Sequence, residues 1–199
     1  MKDAETRTKQ AGALIRCPWC GEEEIYVAYH DREWGEPLKD DRLLFEALIL
    51  DGAQAGLSWI TILKRRAAYR AAFDGMNPEK IARYGEKDME RLMGNPGIIR
   101  NKRKILSAIA NARSYLTMME GPVSFSQWLW NWVEGEPVIH QFTSPAEIPR
   151  ATDLSHKISQ ELKKRGFSFV GPTILYAYMQ AVGMVNDHLV SCFKHPWHP

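Results

Sequence analysis

The chain has 199 residues, of which 45% are hydrophobic and 25% charged, with a net charge of +2. That is apolar material enough for one well-buried domain and too much for a disordered chain, while the near balance of charge neither requires nor excludes a nucleic acid. Three cysteines, Cys17, Cys20 and Cys192, are too few for a disulfide framework, which leaves them for metal ligation or plain burial. Residues 1–15 read as a polar N-terminal tail and 16–199 as a single domain of two helical lobes. The first eleven residues carry both signs of charge, and no apolar run is long enough for a bilayer, so the expectation is a cytoplasmic monomer with no membrane partner.

In chain order, Cys17-Pro18-Trp19-Cys20 forms a knuckle-like turn, and by itself such a Cys-x-x-Cys pair is a moderate signal for zinc. Residues 24–29 are the one stretch that reads as extended, and they deliver Tyr26, Tyr29 and His30 in quick succession before Trp34. Asp40 or Asp41 then caps a helix that Leu43, Leu44, Phe45, Ala47, Leu48 and Leu50 make apolar on nearly every side, the pattern of a helix buried all round. Asp51 closes it. With Leu44 and Leu48 it forms an i, i+4, i+7 stripe, so its carboxylate points inward, where an unpaired charge is costly. A capping or turn aspartate is the plainer reading, because Asp-Gly is a common loop pair. A functional reading draws on its company in residues 48–59. Gly52 and Gly56 let backbone approach a ligand, Gln54 offers a two-sided amide, Ser58 can cap a new helix, and Trp59 stands as a stacking plate at the mouth of a glycine-broken corner.

Residues 59–73 keep helical spacing and stop at Gly75, and Asn77-Pro78 starts a short helix that ends near Gly85. Helices over 88–93 and 98–116 are separated only by Gly94-Asn95-Pro96-Gly97, which predicts a helical hairpin. Ile105, Ile109, Ala112 and Leu116 form the apolar face of the second helix, and Arg100, Lys102, Arg103 and Lys104 crowd its first turns. Free amides at a helix start beside cations make a phosphate seat, although a plain helical corner with solvated flanks accounts for the same residues equally well. Lys163, Lys164 and Arg165 form a second basic cluster. Phe125, Trp128, Leu129 and Trp132 pack a helix over 124–133; Ser144-Pro145 and Thr152-Asp153 open two more, and Gly171-Pro172 opens one over 173–181. With no convincing period-two stretch, the fold class is all-α.

His188 and Cys192 are spaced i, i+4, as on one face of a zinc-binding helix. Should they meet Cys17 and His30, the four close a Cys2His2 site that ties the two ends of the chain together, with Cys20 as a spare thiol. Two other readings stand beside it: Cys17 and Cys20 holding a metal in a different geometry, or His188 capping a helix. A closed four-ligand site leaves no position for water, so such a zinc is structural.

Several of these stretches together resemble the bacterial type I 3-methyladenine DNA glycosylases. They are Arg16-Cys17 with Trp19, Tyr29-His30-Asp31, Glu33-Trp34-Gly35, Gln54-Ala55-Gly56-Leu57-Ser58-Trp59, Gly97-Ile98-Ile99-Arg100, Lys163-Lys164-Arg165-Gly166-Phe167, Phe169-Val170-Gly171 and Val185-Asn186-Asp187-His188. The resemblance covers residues 16–196. It implies an all-α helix-hairpin-helix glycosylase fold, one structural zinc on Cys17, His30, His188 and Cys192, and excision of 3-methyladenine from double-stranded DNA carrying alkylated adenine. It also implies a base pocket of Tyr29, Trp59 and Trp19 with Asp51 as the catalytic and base-recognising carboxylate. The DNA-binding set is Gln54, Gly56, Leu57, Gly97, Ile98, Arg100 and Lys102, with Gly56 and Leu57 as the wedge and residues 94–98 as the backbone-gripping hairpin. The family pattern has Glu where this chain has Asp51, and Gly52 with Gly56 is expected to let the corner move inward to compensate. Two rival classes remain: a zinc-stabilised DNA-binding protein without catalysis, and a hydrolase that uses the zinc directly.

Overall fold

In the computed structural model, which describes residues 14–197, the chain winds around one buried helix, α2 (Asp41–Gln54). Its N-terminus is fixed by Asp40, whose carboxylate accepts from the N–H groups of Arg42 and Leu43 at 2.9 Å each. Leu44, Phe45, Leu48, Ile49 and Leu50 are all buried along it, as the apolar run requires. The tail expected over 1–15 lies outside the described residues apart from Leu14 and Ile15.

Around α2 run α1 (Glu24–Arg32), α3 (Trp59–Leu63), α4 (Arg66–Ala72), α5 (Pro78–Ile81), α6 (Glu86–Met93), α7 (Lys102–Met119), α8 (Phe125–Trp130), α9 (Asp153–Lys164) and α10 (Pro172–Ala181). Side-chain caps set several starts: Asn77 for α5, Asn101 for α7, and reciprocal capping boxes from Ser124 with Gln127 and Thr152 with Ser155. α7 and α10 pack directly on α2, and α9 lies along α10. Apolar side chains gather in two clusters. The larger surrounds α2; the smaller joins Cys17, Tyr29, Trp34, Leu63, Leu189 and Cys192, and Trp59 and Ile148 pack against both. No helix among the described residues is long and apolar enough to cross a membrane.

Six expectations change. Residues 24–29 are helical, because the backbone there completes α1 and places Tyr26 and Tyr29 on one face, whereas a strand would set them on opposite faces. The helix expected over 98–116 begins only at Lys102, since the Asn101 carboxamide caps it by accepting from Arg103 and Lys104. Residues 59–73 divide into α3 and α4 at Lys64-Arg65, and Ser144-Pro145 opens only a 3-10 turn, Pro145–Glu147. The fold is mostly helical rather than all-α: β1 (Val138–Ile139) pairs in parallel with β2 (Val185–Asn186), Val138 opposite Val185, and two residues are too few to show a period. Residues 188–192 are turn, not helix, so His188 and Cys192 do not share a helical face.

Candidate active site and metal centre

Asp51 lies inside α2, not at its end. It is 4% exposed, and burial pushes its carboxyl well above the usual carboxylate range with no neighbouring cation to offset the effect. Two arginines that line the adjoining cavity are committed elsewhere: Arg66 pairs with Glu33, and Arg70 Nε donates to Glu46 Oε1 at 2.8 Å. Asp51 opens onto a cavity of about 320 Å³ walled by Trp19, Tyr26, Tyr29, Trp34 and Trp59, with Gln54 and Gln180 at its polar positions. A second cavity of about 300 Å³ adjoins it and shares Tyr29, Asp51, Trp59 and Ala181.

The aromatic wall is one interlocked set. Trp19 stands 5.1 Å from Tyr26 and 4.9 Å from Trp34 between ring centroids, and Tyr29 stands 5.3 Å from Trp59. Three buried side-chain polar atoms lack a partner among the described residues: Trp19 Nε1, Asp51 Oδ2 and Trp59 Nε1. All three residues line this one cavity. Leaving buried polar atoms unpaired costs ~1–3 kcal/mol each, so their convergence marks groups reserved for a ligand. Tyr29, Trp59, Trp19 and Asp51 are thus together. Tyr26 was missed because an extended reading of 24–29 hid its i, i+3 relation to Tyr29, and Trp34, just beyond that helix, carries no local signal. Gln54, expected at the DNA, also lines the cavity.

The corner follows α2 directly. Ala55 ends the helix, Gly56 takes φ +76°, and Leu57 is 40% exposed at the tip. Lys104 at the start of α7 fixes this corner by donating from Nζ to the carbonyls of Ala53 and Ala55, at 2.7 Å each. That cation is spent on carbonyls rather than phosphate. Gly52 sits within α2, and Gly56 carries the positive φ of the corner. Ser58 is the N-cap of α3, but its hydroxyl bonds to Thr61 Oγ1 and not to a backbone N–H.

At the hairpin, the Gly97 N–H bonds to Asn95 Oδ1 at 2.8 Å, the Ile98 N–H to the Asn95 carbonyl at 3.5 Å, and the Ile98 side chain is buried. With Arg103 and Lys104 amides capped by Asn101, the N–H groups of Arg100 and Lys102 are the ones without a protein acceptor among the described residues. Both side chains are exposed. The second basic cluster is partly neutralised, as Lys164 and Arg165 both pair with Glu161.

The turn over 188–192 still brings the four candidate ligands together: one ligand atom from each of Cys17, His30, His188 and Cys192 lies within 4.8 Å of the others, and all four residues are buried. Around a tetrahedral metal with bonds of ~2.3 Å to sulfur and ~2.0–2.1 Å to nitrogen, sulfur and nitrogen ligands stand about 3.6 Å apart. The observed separations are 3.6 Å for Cys17 Sγ to His188 Nδ1, 3.5 Å for Cys192 Sγ to His188 Nδ1, and 3.4 Å for Cys192 Sγ to His30 Nε2. The outer nitrogens are held as metal-bound imidazoles require. His30 Nδ1 faces Asp31 Oδ1 at 2.8 Å, and the Arg16 guanidinium beside Asp31 holds that carboxyl below its usual range. His188 Nε2 faces the Trp34 carbonyl at 3.2 Å, and a Cβ at Gly35, where φ is +79°, would stand 2.9 Å from the same nitrogen. The residues therefore fit a four-coordinate metal, and Cys20 lies outside the set. Trp19 and Trp34 lean on His30 and His188, at 5.3 and 4.6 Å, so the metal ligands back the cavity wall.

Comparison with known proteins agrees with this arrangement. The methyladenine glycosylase family model matches residues 19–195. The chain is 49% identical to DNA-3-methyladenine glycosylase 1 of Escherichia coli K12 over 183 residues, covering 92% of this chain and 98% of that protein. A crystal structure of a 3-methyladenine DNA glycosylase I superposes with a TM-score of 0.90 at 50% identity, covering 92% of this chain and all of the other. The Staphylococcus aureus enzyme, solved to explain its recognition of 3-methyladenine, superposes with a TM-score of 0.89 at 36% identity over 94% of this chain and all of the other.

The burial of Asp51 makes stability depend on pH. The folded state keeps this proton above the ordinary carboxyl value of 3.8, where the unfolded chain has released it, so the stability that the proton preserves is lost as pH rises through the folded-state value. Asp51→Asn, neutral at every pH, is expected to melt at a higher temperature than the parent, by a margin that widens as pH rises from 5. A margin constant across that range, measured by thermal unfolding, would contradict the buried titration.

Proposed function

The chain belongs to the methyladenine glycosylase family, and from that premise we propose how its residues divide the work of excising 3-methyladenine. It is a DNA N-glycosylase of DNA repair. In the reaction the C1′–N9 bond breaks, its electron pair leaves with the purine, a water oxygen takes its place on the sugar, and a proton passes to solvent, leaving an abasic site. The observation that carries the division of labour is that Asp51, Trp19 and Trp59, each with a buried polar atom unpartnered among the described residues, all line one aromatic cavity.

A base stacked in a duplex cannot reach such a cavity, so the nucleotide is flipped out, at a cost of a few kcal/mol that is least for a damaged base. N3-methylation makes the adenine cationic, which already weakens its glycosidic bond, so no strong general acid is needed. The same charge is the means of recognition. Tyr29, Trp59 and Trp19 offer π-faces, worth ~0.5–2 kcal/mol each to a cation. Asp51, whose carboxyl burial pushes upward, has its ionised form favoured by the cation and accepts from the base edge. Neutral adenine gives it no reason to ionise, and that difference excludes undamaged DNA. Leu57, on the Gly56 turn, fills the space that the flipped nucleotide leaves. Arg100 and Lys102 seat the backbone phosphates with their side chains and free amides, and Gly97 and Ile98 shape that hairpin without offering their own N–H groups. The functional partner is double-stranded DNA, engaged by a monomer whose residues 16–199 act as one domain of two lobes.

Cys17, His30, His188 and Cys192 hold one zinc. Held by four protein ligands it would supply no reaction chemistry, and those residues would join the two ends of the chain behind the cavity wall. That count argues against the zinc hydrolase alternative, and the complete cavity argues against a non-catalytic DNA-binding protein.

Two outcomes follow from this division. In single-turnover release of 3-methyladenine from methylated duplex, Asp51→Asn should lower the rate about 10- to 100-fold, the weight of a charge-assisted hydrogen bond, while binding zinc as the parent does. A release rate within twofold of the parent would remove Asp51 from base recognition. Elemental analysis should find one zinc per chain, and Cys192→Ser should lower both zinc content and melting temperature. A metal-free protein, or a Cys192→Ser variant of unchanged melting temperature, would remove the metal from this account.

A further inference from the structure

The charge and the aromatic walls explain why an alkylated base is chosen over a normal one, but they do not distinguish adenine from guanine. A guanine methylated at N3 or N7 is also flat and cationic, so it would satisfy Asp51 and the stacking walls equally well. The difference between the two purines lies at C6, where adenine carries an amino group with two N–H donors and guanine a carbonyl oxygen.

α10 sets Ala177, Gln180 and Ala181 on the cavity wall at i, i+3 and i+4. A glutamine there could show either end of its amide, the donating NH2 or the accepting oxygen. Behind it lies Asp187, which is fully buried. Its Oδ1 accepts from His140 Nδ1 at 2.6 Å, and its Oδ2 accepts from the Tyr176 hydroxyl at 2.5 Å and from Gln180 Nε2 at 2.7 Å. A carboxylate offers only acceptors, so Gln180 must turn its NH2 toward it. The carboxamide oxygen, which has no hydrogen bond among the described residues, is the end left for the cavity.

We infer that Gln180 presents an acceptor to the C6 substituent of the flipped base and so selects adenine over guanine, with Asp187 as the positioning residue that keeps the amide from turning over. This rests on the functional reading above. The adenine amino group can give a hydrogen to the Gln180 oxygen. A guanine would set its O6 against that oxygen with no hydrogen between them, the kind of mismatch a buried polar site penalises heavily. Asp51 thus tests for alkylation and Gln180 for the identity of the purine.

The test is release of 3-methyladenine and 3-methylguanine from the same methylated duplex by the parent, Gln180→Met and Gln180→Glu. Reading the ratio of the two bases makes the result independent of how much protein is folded. Gln180→Met, of similar shape and without the acceptor, should lower the ratio of 3-methyladenine to 3-methylguanine by about tenfold or more. At pH near 6, Gln180→Glu should stay close to the parental ratio, because a protonated glutamate donates its O–H to Asp187 and keeps a carbonyl oxygen toward the cavity. Asp187→Asn, whose amide lets Gln180 turn over, should shift the ratio in the direction of Gln180→Met. A Gln180→Met protein that loses both activities in proportion, or a Gln180→Glu protein that loses selectivity as Gln180→Met does, would overturn the inference. A parent that releases no 3-methyladenine at all would instead overturn the functional reading beneath it.

Discussion

A carboxyl group held in a buried helix, with no hydrogen-bond donor or ion-pair partner among the described residues, is the constraint around which this structure is arranged. Asp51 costs the fold stability, since each alternative arrangement would give it a partner or take it to water. Arg66 and Arg70, which line the adjoining cavity, are bound by Glu33 and Glu46, and the cavity that Asp51 lines is walled by five aromatic side chains. A site built this way is incomplete until something flat and positively charged enters it, which is the description of an N3-alkylated adenine.

The rest of the chain supplies the walls and the approach. Trp19 and Trp34 come from the first residues of the domain, and both rest on the imidazoles of the Cys17, His30, His188 and Cys192 tetrad, so the closure of the two chain ends also closes the cavity. On the opposite side α2 runs straight from Asp51 into the corner that exposes Leu57. Lys104 joins that corner to the start of α7. Lys104 reads as one more basic residue in the sequence; only the fold shows that its charge is spent inside the protein.

What the sequence could disclose follows from where each signal lies. The apolar run of α2 and the inward stripe of Asp51 with Leu44 and Leu48 are local patterns, and they appear in the structure as read. The four metal-ligand candidates were also legible, but through a helical spacing that does not exist: His188 and Cys192 lie on a turn, and any bend that reverses the chain over four residues can bring two side chains together. Tyr26 was hidden by a misjudged period in α1, where six residues are too few to tell a strand from a helical turn. Gln180 and Asp187 were illegible for a different reason. Their meaning is a hydrogen bond between a helix and the strand-bearing loop after it, and no periodicity encodes the direction in which an amide points.

The most direct test of the account is the protonation state of Asp51 itself, followed by the 13C resonance of its carboxyl group at about pH 5, where an ordinary aspartate is more than nine-tenths ionised. The account predicts a protonated carboxyl in the empty protein and an ionised one after addition of 3,9-dimethyladeninium, whose fixed positive charge copies the alkylated base. A carboxyl already ionised before the ligand is added, or one that keeps its proton in the complex, would contradict it.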